Sequence, residues 1–404
     1  MKKILTMALA LVLIFTVTAC SDTTDTADTS DTESEATSEI SFTLTDTMQA
    51  DAYDDEGNVI DLPEEGEAFY GQDAQYTGIA TEYTNNEDGT ITDMNTGLIW
   101  QQEVSDTMSY EDAIEYAENL DVGGYDDWRL PTIKELYSLA DFNGELLLDG
   151  DSTPYIDTDY FEFEYQDGRE YAGQYWSSTV YVVDDGEEDG DGEKAFGFNF
   201  ADGHIKGYGT GRTVDGESSS DGFAVGMFVR CVRGDENVYG VNDFVDNGDE
   251  TVTDEATDLM WQQADDGQTR NWEETLSYAA DAEIGGYDDW RLPNSKELQS
   301  IIDYSKTTIP AVDESFFTIS EADSYFWTGT TLGDAKAQAC YITFGYGWSI
   351  PTGSEDGEYV DYHGAGAQRS DPKSGTVEEY ELASENAEDL VRIDNYSLLV
   401  RDAN

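Results

Sequence analysis

Positive charge is scarce in this chain. Only 19 Lys and Arg stand against 89 Asp and Glu over 404 residues, a formal net charge of −70. Such a surface repels DNA, RNA and anionic lipid, which excludes direct nucleic-acid binding. It also disfavours anionic glycans unless cations bridge the two. Solubility in salty surroundings and a sink for divalent cations are the two readings of this charge, and screening salt is expected to favour the fold. Cysteine is rare as well. Three residues in this length do not make a disulfide scaffold. There are two histidines, and no His or Cys recurs at matching places in the internal repeat described below, so a duplicated catalytic set is missing. Beyond the N-terminus no apolar run is long enough to span a bilayer. What is present is 38% hydrophobic and 12% aromatic residues, enough for the cores of two ordinary domains.

The chain opens MKKILTMALALVLIFTVTAC. Lys2 and Lys3 form a positive start, Ile4 to Val17 is apolar but short for a membrane span, and Val17-Thr18-Ala19-Cys20 follows. This pattern resembles the bacterial lipobox, which implies a signal peptide over 1–19 and lipidation of Cys20. Several acyl chains on one cysteine anchor a protein durably. By resemblance to the lipoprotein sorting rule, Ser21 points to the outer membrane or cell surface. Residues 20–45, rich in Asp, Ser, Thr and Glu, cannot bury enough surface to offset their ordering entropy and read as a disordered tether.

The remainder is written twice. EDGTITDMNTGLIWQQ (Glu87 to Gln102) lines up with GDETVTDEATDLMWQQ (Gly248 to Gln263), and TIKELYSLADF with NSKELQSIIDY. YWSSTVY corresponds loosely to FWTGTTL, and the closing Val229-Arg230 is matched to Val400-Arg401. The copies are placed at 46–234 and 238–404, the first with an extra lead-in from Asp46 to Tyr76. Each is expected to contain a hairpin, a helix capped by Ser109 or Asn271, a second helix after Pro131 or Pro293, and strands with Gly/Asp turns. Tyr110, Ala113, Ile114 and Ala117 are expected to face inward on the first helix. Thr132 with Glu135, and Asn294 with Glu297, have capping-box spacing. The class is α+β.

The string GGYDDWRLP appears at Gly123–Pro131 and again at Gly285–Pro293. Gly123-Gly124 is expected to stop the first helix, Tyr125 and Trp128 to pack the junction, and Pro131 to separate the helices. Arg129 is expected to be half-buried and paired with Asp126 or Asp127. In the second copy Asp288, Trp290, Arg291 and Pro293 take the same roles. The alternative is a metal site or acid/base pair at the two aspartates. Lys134 and Lys296 recur on the following helix, where a solvated lysine is expected.

The run TDxxTGLxWQ…GGYDDWRLPTxKEL…YWSST…VRCVRG resembles the Lcl C-terminal domain family. Copy one matches nearly throughout; copy two matches through WRLPNSKEL and then lacks the YWSST and VRCVRG forms. The resemblance implies two tandem C-type-lectin-like domains, distantly similar to sulfatase-modifying enzymes, in secreted or surface proteins of which some serve adhesion. It implies no reaction.

Three further features stand apart. Cys231, matched to Asp402, and Cys340, matched near Phe196, occupy different template positions, leaving a bridge between copies or two buried thiols. The acidic run holding Asp184, Asp185, Asp189 and Asp191 fails EF-hand spacing and reads as a solvated loop or a loose Ca2+ site. Trp348 and His204 are matched at hairpin tips, where Trp348 reads as a loop aromatic folded back on its own sheet or as an exposed one that stacks on sugar or protein. The expectation is a non-enzymatic lipoprotein, membrane-held through Cys20, that binds a glycan or protein. The rivals are a sulfatase-modifying-type enzyme or carboxylate hydrolase, and a structural envelope component.

Overall fold

A computed structural model describes residues 41–147, 151–166, 171–183, 193–211, 226–350, 357–383 and 389–403. Cys20, most of the tether and all four aspartates of the acidic run lie outside the described residues. Among those described, no helix is long and apolar enough to cross a membrane. The fold is α+β with antiparallel sheets.

The lead-in forms a small hairpin, β1 (Ala52–Tyr53) and β2 (Val59–Ile60), and a 3-10 turn at Asp73–Gln75. The first copy then runs β3 (Tyr83–Asn85), β4 (Thr90–Asp93), β5 (Ile99–Gln101), α1 (Tyr110–Asn119), α2 (Ile133–Ser138), β6 (Gln174–Tyr181), β7 (Lys194–Asn199), β8 (His204–Gly209) and β9 (Val232–Arg233). The second copy repeats the order. It comprises β10 (Phe244–Asp246), β11 (Thr251–Asp254), β12 (Leu259–Gln262), α3 (Trp272–Ala280), α4 (Ser295–Ser300), β13 (Tyr325–Thr331), β14 (Gln338–Thr343), β15 (Trp348–Ser349), β16 (Val360–Asp361), β17 (Gln368–Pro372), α5 (Val377–Ala383) and β18 (Val400–Asp402).

Each copy has one four-stranded sheet, β3-β4-β5-β9 or β10-β11-β12-β18. Trp100 lies opposite Val232 and Trp261 opposite Val400. The closing residues are therefore Val232-Arg233 and Val400-Arg401, which corrects the match to Val229-Arg230. FVRCVRG holds Val-Arg twice, and only the second pair enters the ladder. Cys231 is thus the counterpart of Leu399, not of Asp402: their carbonyls accept from Gln101 and Gln262.

A six-stranded sheet spans both copies in the order β13-β14-β17-β8-β7-β6. Two three-stranded halves meet where Gln368 of β17 faces Ile205 of β8, giving an approximate twofold relation. Both edge strands carry the same irregularity, after Trp176 and after Trp327. Trp100, Trp176, Trp261 and Trp327 are completely buried. At ~25 cal/mol per Å2, each such ring contributes roughly 4–6 kcal/mol of transfer free energy.

The helix starts follow from their caps. Ser109 and Asn271 accept from the backbone three residues on, and both capping boxes form. Ile114 does not face inward as expected. It is 42% exposed, because Tyr110, Ala113 and Ala117 alone make the inward stripe. The glycine pairs do not stop helices either: α1 ends at Asn119 with Leu120 as its extended cap. Gly123-Gly124 and Gly285-Gly286, all with positive φ, form two-residue turns bridging Val122 to Tyr125 and Ile284 to Tyr287. A Cβ on Gly123 would meet Thr90 Cγ2 at 2.7 Å, and one on Gly285 would meet Thr251 Cγ2 at 2.6 Å.

Candidate functional site

The repeated string resolves into two ion pairs that both copies share. Arg129 forks onto Glu135 at 2.7 and 2.6 Å, and Arg291 onto Glu297 at 2.6 and 2.7 Å. The pairing of Arg129 with Asp126 or Asp127 is therefore corrected. Glu135 is held in place by the capping box, where it also accepts the Thr132 N–H, so its carboxylate already faces the joint. Asp127 pairs instead with Arg233, and Asp289 with Arg401, from the closing strands. Those arginines also stack on Tyr125 and Tyr287 at 3.8 and 4.0 Å. The buried Trp128 and Trp290 donate to the carbonyls of Val122 and Ile284. Pro131 and Pro293 offer their carbonyls to Ser178 and Gly329 of the edge strands. Asp126 and Asp288 are exposed, and neither is bonded to the joint among the described residues.

His204 and Trp348 are not equivalents. The strand that pairs with β14 as β8 pairs with β7 is β17, which places Ala367 at the His204 position. Trp348 belongs to the β15–β16 excursion instead. Its indole donates to Asp323 at 2.9 Å and its ring meets Tyr346 edge-on, so it folds back on its own sheet. His204 is buried, 3.1 Å from Asp202, and burial pushes its pKa down to about 4. The second histidine, His363, lies beside the same sheet junction and is bonded to Asp389 at 2.7 Å. Asp389 also accepts from Arg369 Nε at 2.8 Å. Cys231 and Cys340 are buried free thiols, the second of the two readings, and are not bridged. Burial pushes Cys231 up to about 12. Among the described residues no three potential ligands come together to hold a metal.

The largest departure from expectation is the lysine pair. Lys296 is 1% exposed and Lys134 half-buried; neither is solvated. Lys134 Nζ donates to Ser300 O (2.6 Å), Gly240 O (2.9 Å) and Asn242 Oδ1 (3.4 Å). Lys296 Nζ donates to Ser138 O (3.0 Å), Asp46 O (2.9 Å) and Thr45 Oγ1 (3.3 Å). Burial lowers both to about 8, against the pull of Asp303 and Asp254 on Lys134 and of Asp141 and Asp46 on Lys296. Each lysine thus reaches the carbonyl ending the other copy's helix. Beside Lys134 a cleft of about 480 Å3 opens at the seam, lined by Thr179, Tyr239, Tyr304, Asp303, Glu236 and Ser305 among others. The signal for the lysines was in the sequence, since they recur at one position. What lay outside it was the second copy's helix end.

The family model of the Lcl C-terminal domain matches residues 89–233 and 250–361. The chain belongs to the Lcl C-terminal domain family. No curated protein and no solved structure matches it. The first Lcl C-terminal match ends with β9, the strand that closes its small sheet. The second stops at Asp361, although β17 and β18 complete both sheets of that copy. The second match continues past WRLPNSKEL to the end of the β15–β16 excursion, which separates β14 from its partner β17.

Proposed function

We propose that this chain is a surface-anchored lipoprotein, held by acylated Cys20, whose tandem lectin-like copies bind a glycan or protein ligand without catalysis. One observation carries the reading. Among the charged side chains that recur in both copies, Asp127, Arg129, Lys134, Glu135 and their counterparts are engaged twice in like contacts of the fold, while Asp126 and Asp288 stand exposed. Lys134, the recurring base that lines the cleft, is already bonded to three acceptors, whereas a functional acid/base pair needs neighbours that part its pKa values. Open surface at the seam offers hydroxyls, aromatic edges and carboxylates, the mixture suited to recognition.

The test is saturable binding of the purified full chain to arrayed neutral glycans and to isolated envelope proteins, with and without calcium. Binding to a defined glycan or protein is the expected result. Silence across both sets overturns it, as does a turnover abolished by Asp126→Asn or Asp288→Asn with the fold intact.

A further inference from the structure

The approximate twofold makes two seats at the seam, and the described residues of the chain fill only one of them. The filled seat is built from the end of α2 and the start of α4 with the end of β13. The lead-in lies in it: Phe142 N–H donates to Thr47 O at 2.8 Å, and Lys296 Nζ holds Asp46 O. Gln49 completes the contact with its carboxamide, which accepts the Thr331 N–H at 2.9 Å and donates to Thr331 O at 2.7 Å. Thr330, whose hydroxyl accepts the Ser295 N–H at 3.0 Å, donates in turn to Asp73 at 2.6 Å.

The cleft beside Lys134 is the other seat. Its walls are the end of α4, the start of α2, Thr179 of β6 and the linker between the copies. Position by position, Tyr304 stands for Phe142, Thr179 for Thr330 and Val180 for Thr331. The Thr179 hydroxyl accepts the Ile133 N–H at 2.9 Å as Thr330 accepts that of Ser295. Lys134 is satisfied by the linker between the copies, through Gly240 and Asn242, as Lys296 is by Asp46 and Thr45. Beyond the linker the likeness stops. Among the described residues nothing accepts from the Tyr304 N–H or the Thr179 hydroxyl, the two donors whose counterparts bind Thr47 and Asp73. The lead-in has no equivalent in the second copy, and among the described residues no such segment lies on this side.

We propose that the cleft binds an extended peptide segment of a partner protein, of the kind that the lead-in presents to the filled seat. Its backbone carbonyl takes the Tyr304 N–H, and a carboxamide side chain two residues on takes the edge backbone at Val180. A carboxylate or carbonyl oxygen takes the Thr179 hydroxyl. This is strand-edge recognition, in which main-chain bonds supply affinity and one side chain supplies register. Ser178, exposed where the filled seat has Gly329, narrows the floor, because a Cβ on Gly329 would lie 3.2 Å from Asp73 N. The vacant seat therefore takes the extended part of the lead-in and not its 3-10 turn.

The proposal rests on the binding reading above and narrows it to one site and one ligand class. The test uses the purified full chain and a blocked synthetic peptide with the sequence of Phe42–Gln49, followed by titration calorimetry. Saturable binding is expected, weakened by at least about tenfold when the peptide's glutamine is replaced by alanine. The exposed mouth residues Ser305 and Glu236 give two plugging variants, Ser305→Trp and Glu236→Trp, outside the packed seam. Each is expected to reduce peptide binding at least about tenfold with an unchanged melting temperature. No saturable binding by the unaltered chain overturns the proposal, and so does binding indifferent to both plugs, which would place the peptide elsewhere. A glycan bound while the peptide is silent also overturns it and leaves the binding reading standing.

Discussion

Lys134 and Lys296 are exchanged across the seam, each ammonium bonded to the carbonyl that ends the other copy's helix, Ser300 at 2.6 Å and Ser138 at 3.0 Å. The contact closes a single body from two sequence repeats. Phe196 and Tyr304 add an edge-to-face contact at 5.0 Å across the same boundary.

Removing the buried ammonium strands its acceptors. Lys296→Met leaves Ser138 O, Asp46 O and Thr45 Oγ1 without their donor, and a loss of about 2–4 kcal/mol is expected from urea unfolding near neutral pH. Lys134→Met, at a half-buried position with a wetter cleft beside it, is expected to lose less.

The same lysines set an alkaline trend. Their folded pKa values, about 8, lie below the unfolded value of 10.5. Between these pH values the unfolded chain binds more protons, so the lysine contribution to stability rises with pH. Measured against Lys296→Met, the unaltered chain should gain stability from pH 8 to pH 10.5. A flat or falling difference contradicts the burial of the charge.

Asp73 behaves in the opposite sense. Burial raises it to about 7, although Thr47 and Thr330 both donate to it. A folded pKa above the unfolded one gives stability that is present in acid and lost as pH rises from about 4 to about 7. Asp73→Asn keeps an acceptor for both hydroxyls and removes the charge. The variant should match the parent near pH 4 and exceed it in melting temperature at pH 8.

Arg129 and Arg291 make the same planar fork in two places, so Lys is a poor substitute in both. Arg129→Lys and Arg291→Lys are each expected to cost about 1–2 kcal/mol by urea unfolding. A null effect in one copy alone would break the equivalence of the joints.

Much of the small-scale structure is legible in the sequence. Ser109, Thr132, Asn271 and Asn294 announce the helix starts because capping is local, involving residues at most three apart. The paired tryptophans announce the core, since three of them fall at matching places in each copy. Features that need the third dimension are not legible. Arg129 has carboxylates closer in sequence than Glu135, and only the turn of α2 brings Glu135 round. Lys134 and Lys296 read as solvated from one copy because the group that buries each belongs to the other. The β15–β16 excursion hid the equivalence of β8 and β17, and with it the true counterpart of His204. The acidic run and Cys20 fall outside the described residues.

The central claim is that the two copies fold as one unit through the seam. Leu136→Ala, a completely buried residue of α2 in the first copy, tests it by native-state hydrogen exchange. The most protected amides of β12 and β18, in the second copy, should lose the same opening free energy as those of β4 and β5, about 2–5 kcal/mol. Loss of protection confined to the first copy, with the second copy's amides unchanged, would contradict it.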